Sequence, residues 1–291
     1  MAVSNALTIL AFDGPIFRAY VSALQHQGIR PRRVVTLVPR YAPSTGEEVG
    51  RWLPRAMRGI YAAHVNDARQ NYWPRRLKRT EPALVRGMRE RLAARFPFFE
   101  HYFQNLERRS RYEGWAEAHE VVLVDHLADP ALANVLAGAG TVLFTGGGIV
   151  PASLLAMLGL RFIHVHPGIL PHVRGADGLL WSMLVRGRPG RTAFVMTSIL
   201  DNGPIIQAEE VEPLRFDISG HARPNDQVLY RALYSYYDPC LRAELMANVM
   251  ANGNWLSDQG QKPPSGNQGA LFPFMSNRLR TAALGYMFQS V

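Results

Sequence analysis

Between Ala131 and Leu160 the chain carries no charged side chain. A stretch of that length must leave water, either into a bilayer or into a protein core. Gly138, Gly140, Gly146, Gly147, Gly148 and Pro151 cut it into short pieces. The reading is therefore buried strand and helix: a helix over Ala131–Leu136, a strand over Thr141–Thr145, a Gly-rich loop, and a helix opened by Pro151. The same alternation occurs elsewhere. Leu7–Phe12 reads as a buried strand, Ile16–Gln27 as an amphipathic helix and Val34–Val38 as a second strand, which together suggest a βαβ unit. Val121–Val124, Phe162–Val165, Thr192–Ile199 and Ile205–Val211 add strands, and Gly178–Arg186 adds a helix. This predicts an α/β fold with a Rossmann-like, mostly parallel sheet.

Residues 51–112 break that rhythm. Their pattern is helical, with Leu84, Met88 and Leu92 in line after Pro82 and aromatic Phe96, Phe98, Phe99, Tyr102 and Phe103 around Pro97. The formal charge of the whole chain is +9, but this segment sets fourteen arginines and Lys78 against five acidic residues, and the rest of the chain sums to −1. Arginine beside Trp52, Tyr61, Tyr72 and Trp73 has the chemistry of a nucleic-acid surface. It equally has the chemistry of a solvated helical insertion whose arginine stems lie on aromatic rings, which is the favoured reading. Beyond residue 212 a long helix over Asp226–Met250, a polar loop over Asn252–Gly269 and an apolar segment over Leu271–Phe288 are expected. The organisation read from the chain is a catalytic α/β domain over 1–212, with 51–112 as a basic helical insertion, and a mostly helical extension over 213–291.

Cys240 is the only cysteine, which excludes an internal disulfide and a cysteine-based zinc cluster. The first residues, MAVSNALTILAFDG, lack a basic leader and their apolar run ends at Asp13, so a cytoplasmic protein without a membrane partner is expected. Gly146–Gly148 lacks the Lys-Ser/Thr ending of a P-loop.

The chemistry is concentrated in 162–210. Alternation on the strand puts His164 and His166 on one face, and Pro167, Gly168, Pro171, Gly175 and Gly178 then impose an irregular loop. Loops at the carboxyl ends of parallel strands are where ligands bind. Asp201-Asn202-Gly203-Pro204 forms a turn between two strands. His164, His166 and Asp201 have the side chains for a metal-dependent hydrolase as well as for metal-free acid–base work.

The run His164-Val165-His166-Pro167-Gly168-Ile169-Leu170-Pro171, then Gly175, then Asp201-Asn202-Gly203-Pro204-Ile205-Ile206 resembles the formyltransferases that use 10-formyltetrahydrofolate. Their signature is Asn-x-His-Pro-Ser-Leu-Leu-Pro, a later Gly, and Asp-x-Gly-Pro-Ile-Ile. Gly147-Gly148-Ile149-Val150-Pro151 is similar to the family's Gly-x-Ile-Leu-Pro loop. The likeness covers roughly residues 120–212. It implies a sheet of the formyltransferase type and transfer of a formyl group to an amine or hydroxylamine. His166 would be the catalytic histidine, Asp201 would orient it and raise its basicity, and His164 would stand at the oxyanion-stabilising Asn. A neutral imidazole at position 164 would donate one N–H there, and two neighbouring imidazoles would oppose each other's protonation. Gly147, Gly148, Ile149, Val150, Pro151 and Leu200 would line the reduced folate. Pro167, Gly168, Arg174, Gly175 and Asp177 would contact the acceptor, with a helix-cap role for Asp177 as the alternative. The helical C-terminal region points to a small metabolite rather than tRNA as acceptor, and a homo-oligomer is compatible. A divergent enzyme of the same fold, running hydrolysis or cyclisation, is the second chemistry.

Overall fold

The computed structural model describes residues 7–107, 112, 114–218, 223–256 and 269–289. Arg108, Arg109 and Arg111 of the basic segment and most of the expected 252–269 loop lie outside the described residues. In chain order the strands are β1 (Leu7–Ala11), β2 (Arg33–Pro39), β3 (Ala118–Val124), β4 (Thr141–Phe144), β5 (Arg161–His166), β6 (Val173–Gly175), β7 (Gly190–Val195), β8 (Ile205–Glu210), β9 (Phe216–Asp217), β10 (Ala270–Phe272) and β11 (Phe288–Gln289). The helices are α1 (Pro15–His26), α2 (Arg55–Gln70), α3 (Tyr72–Thr80), α4 (Pro82–Arg95), α5 (Phe99–Asn105), α6 (Pro130–Leu136), α7 (Ala152–Leu155), α8 (Gly178–Arg186), α9 (Asp226–Ala232), α10 (Asp238–Ala251) and α11 (Asn277–Gly285).

Seven strands form one sheet in the order β3-β2-β1-β4-β5-β7-β8. The first five are parallel, and β7 and β8 close the sheet antiparallel. β1 is buried along its whole length because both sheet faces are covered, which is why it reads as an unbroken apolar run. Ile9, Ala11, Ile163 and Val165 pack on one face with residues of α1, α8 and α10. Leu10, Phe144 and Phe162 pack on the other with Leu132 and Leu136 of α6 and Leu154 of α7. The chain leaves β1 towards β2 and β3 and later returns to its other side with β4. The topological switch point therefore lies between β1 and β4, where an open α/β sheet leaves a crevice at its carboxyl edge.

Two expectations need correction. The helix predicted over Asp226–Met250 is interrupted by a π turn over Leu233–Tyr237. Pro239 follows that turn without a backbone N–H to donate, and a wider turn accommodates the missing bond. The C-terminal region also contributes strands: β10 pairs with β6 and β11 with β9. Among the described residues no helix is long and apolar enough to cross a membrane.

The basic segment forms α2–α5, and a buried ionic network joins it to the β1–α1 turn. Arg18 is fully buried and donates to Asp13 at 2.8 and 3.1 Å, to Asp67 at 2.5 Å and to the Asn105 carbonyl at 2.7 Å. Arg75 donates two further bonds to Asp67, at 2.9 and 3.2 Å. Asn71 donates to the Asp13 carbonyl at 2.9 Å, and the Tyr112 hydroxyl donates to Asp13 at 2.9 Å. Burial opposes ionisation of Asp67, but Arg75 and Arg18 outweigh it and hold its carboxyl below the ordinary range. Further out, Lys78 lies 3.7 Å from the centre of the Phe103 ring, and Arg76 and Arg231 lie 5.5 and 5.0 Å from that of Trp73. These cations cover aromatic surface of the segment.

Replacing Arg18 with Met should leave two carboxylates buried against fewer cations. Loss of one partner from such a network costs about 3–5 kcal/mol. Urea unfolding at neutral pH measures this, and a loss of under about 1 kcal/mol would show that the network does not hold the insertion.

Candidate active site

β5 carries Phe162, His164 and His166 towards one face and Ile163 and Val165 towards the other, as strand alternation requires. His166 is buried, and its Nε2 lies 2.9 Å from the Val173 carbonyl oxygen. A carbonyl only accepts, so Nε2 carries the proton and Nδ1 is the lone-pair nitrogen of the neutral ring. The loop is built around this bond. A Cβ on Gly168 would sit 2.7 Å from His166 Nε2 and 2.8 Å from the Val173 oxygen. The glycine after Pro167 is thus a condition of the His166 contact.

His166 Nδ1 faces Asp201 Oδ2 at 3.5 Å. That separation fits an ion pair with a protonated ring and is longer than an ordinary hydrogen bond. Asp201 sits at φ 49°, in the left-handed region that L-residues rarely adopt, and the same Oδ2 accepts the Gly175 N–H at 2.8 Å. Gly175 has φ 93°, and a Cβ there would run into the Phe272 carbonyl oxygen. Burial lowers the His166 pKa, against the opposing pull of the Asp201 carboxylate and the Val173 carbonyl.

His164 is partly buried between two rings, with the centroids of Phe144 and Phe194 at 6.0 and 6.1 Å. Its Nδ1 lies 2.8 Å from the Phe144 carbonyl oxygen, so this nitrogen holds the proton of the neutral ring. Burial pushes its pKa down to about 4, and Arg242 and His166 act in the same direction. The expectation that a neutral His164 donates an N–H into the site is therefore corrected: Phe144 accepts that N–H, and Nε2 is left as an acceptor.

The other sequence-derived residues divide into three groups. Asp177 is buried at φ 50°; its carboxylate accepts the Tyr230 hydroxyl at 2.7 Å and the Met275 N–H at 2.8 Å, and it makes no side-chain cap on α8. Those bonds hold the loop to α9 and to the segment before α11, and the cap reading gives way to this loop-holding one. Arg174 donates to the Leu200 carbonyl at 2.9 Å and ties the β6 loop to the Asp201 loop, while Pro167 and Gly168 form the turn beneath His166. On the loop after β4, Gly147, Gly148 and Ile149 are exposed, Pro151 is partly exposed, and Val150 is buried in the core. Val150 is thereby removed from the surface on which a folate was expected. Ile149, Ile199 and Leu200 are 72%, 56% and 43% exposed.

A cleft of about 420 Å³ opens at the switch point, lined by Gly14, Pro15, Gln70, Thr145, Gly146 and Gly147 among others. Thr145, Gly146 and Gly147 of its lining follow Phe144, whose carbonyl holds His164, and the buried Thr145 hydroxyl finds no hydrogen-bond partner among the described residues. Among the described residues no group of three or more His, Cys, Asp or Glu is arranged to hold a metal ion. Sequence reasoning missed the Phe144 and Val173 carbonyls, because a main-chain acceptor has no residue signature. It also missed Tyr230 and Met275, whose bonds to Asp177 span 53 and 98 residues.

No family model and no curated protein matches the sequence. Solved structures overlap it loosely. A sugar N-formyltransferase from a Shewanella species has TM-score 0.45 and 12% identity over 98% of this chain and 88% of that one. Glycinamide ribonucleotide transformylase 1 from Symbiobacterium toebii has TM-score 0.48 and 14% identity over 90% and 94%. The formyltransferase PseJ from Anoxybacillus kamchatkensis, solved with UDP-4,6-dideoxy-4-formamido-L-AltNAc and tetrahydrofolate, has TM-score 0.36 and 24% identity over 54% and 75%. At this looseness, substrate and chemistry are to be read from the chain's own residues.

The low His164 pKa has a consequence for stability. From the ordinary 6.5 down to about 4, the unfolded chain takes up a proton that folded His164 refuses. Stability should therefore fall with pH across that window, with a slope of up to about 1.4 kcal/mol per pH unit for one proton. Urea midpoints of wild type and His164→Asn between about pH 4.5 and 7 test this. The variant should show a shallower slope, and an unchanged slope would contradict the assignment.

Proposed function

We propose that this chain is a one-carbon transferase that moves a formyl group from 10-formyltetrahydrofolate to the amine or hydroxylamine of a small metabolite. The observation that carries the reading is the approach of His166 Nδ1 to Asp201 Oδ2 at 3.5 Å. Two motif halves that are far apart in sequence meet in the order and with the residue types that acyl transfer to nitrogen needs.

Such a reaction joins two reactants, passes through a tetrahedral oxyanion and must relocate a proton from the attacking nitrogen. His166 and Asp201 are suited to support that step: a charge on the ring meets the carboxylate, and the Gly175 N–H keeps the carboxylate in position. The low dielectric around the buried ring strengthens this pairing. The formyl donor supplies the activated one-carbon group. Ile149, Ile199 and Leu200 are exposed and would line its ring system, with Gly147, Gly148 and Pro151 beside Ile149 offering backbone groups for its polar edge. Arg174 and the turn at Pro167–Gly168 would border the acceptor. The largely helical region after residue 212 favours a small acceptor over tRNA.

Incubation of the purified protein with 10-formyltetrahydrofolate and a pool of small amines tests the reading. His166→Ala and Asp201→Ala should each lower turnover by about 10²–10⁴-fold with far-UV circular dichroism unchanged. Near-normal turnover in both variants would refute the site.

A further inference from the structure

The two histidines of β5 differ in what they leave available. His166 is buried, with Nε2–H on the Val173 carbonyl and Nδ1 facing Asp201. His164 is partly exposed, with Nδ1–H on the Phe144 carbonyl and with no hydrogen-bond partner for Nε2 among the described residues. The neutral His164 ring cannot turn over to offer a donor without breaking the 2.8 Å bond to Phe144 and leaving that carbonyl without the ring's N–H. Nε2 of the neutral ring is therefore a lone pair.

We propose that His164, through Nε2, is the group that accepts the proton of the attacking nitrogen, while His166 acts behind it as a positioning residue and the Asp201 carboxylate favours the charge. This assignment rests on the formyl-transfer reading. The acceptor's N–H donates to Nε2, which leaves the nitrogen lone pair free for the formyl carbon. As the new nitrogen–carbon bond forms, the proton passes to Nε2. As the bond from the formyl carbon to the donor nitrogen breaks, Nε2 returns the proton to that departing nitrogen, and His164 ends neutral. The Asp201 carboxylate favours the transient cation, whereas Arg242 from α10 and a protonated His166 oppose it, so the proton does not stay on Nε2. A histidine where the resembling enzymes carry Asn thus changes the position from hydrogen-bond donor to proton acceptor.

Two measurements decide this. Nitrogen-15 imidazole spectra of the wild-type protein at neutral pH, with His164→Gln to assign the signal, should show His164 protonated on Nδ1 and bare on Nε2. A proton on Nε2 would overturn the proposal whatever the activity. With hydroxylamine as the nucleophile and 10-formyltetrahydrofolate as donor, His164→Ala should lose about 10²–10⁴-fold in turnover. Added imidazole should restore part of that loss, and donor binding followed by tryptophan fluorescence should be unchanged. Turnover of His164→Ala within about twofold of wild type overturns the proposal and leaves formyl transfer standing. A wild-type protein that formylates neither hydroxylamine nor any amine removes the transfer reading, and this assignment with it.

Discussion

A guanidinium with no exposure to water needs carboxylates beside it, and Arg18 meets that requirement with Asp13 and Asp67. Asp13 belongs to the turn after β1, Arg18 to α1 and Asp67 to α2. One desolvated cation therefore joins the first βα turn of the sheet to the inserted helices. Because Asp67 also takes Arg75, the end of α2 is fixed against α3, and Gln70 is brought to the cleft that Gly14 and Gly146 line from the other side. The insertion is a wall of the switch-point crevice.

This changes what the positive charge means. Several of the basic groups of residues 51–112 are matched to a carboxylate. Arg75 is drawn inward by Asp67, Lys78 pairs with Glu107 and lies over Phe103, Arg89 pairs with Glu100, and Arg95 reaches Glu244 on α10. The exposed pairs contribute little to stability in water. Of the four pairs, three lie within the segment, and Arg95–Glu244 links it to α10.

At the site, main-chain carbonyls decide the chemistry of the side chains. Phe144 and Val173 each capture one imidazole N–H, and each capture determines which nitrogen keeps its lone pair. The loop glycines permit this geometry: Gly168 leaves room for the His166–Val173 bond, and Gly175 turns its N–H onto Asp201. Asp177 and Asp201 both occupy left-handed backbone positions, and each is held there by bonds to distant chain.

By itself the sequence determined the α/β alternation, the near-full buried length of the central strands, the helical character of 51–112 and the candidate trio His164, His166 and Asp201. These are set by local periodicity, by glycine and proline, and by residue type, all of which can be read along the chain. Only the tertiary structure decided that β7 and β8 run antiparallel, that a π turn precedes Pro239, that Val150 is buried and Asp177 accepts from Tyr230 and Met275, and that His164 Nδ1 meets the Phe144 carbonyl. Apart from the π turn, which answers to the neighbouring Pro239, each of these depends on a partner distant in sequence or on a main-chain carbonyl. A carbonyl is common to every residue, so its direction is known only when the fold has placed it.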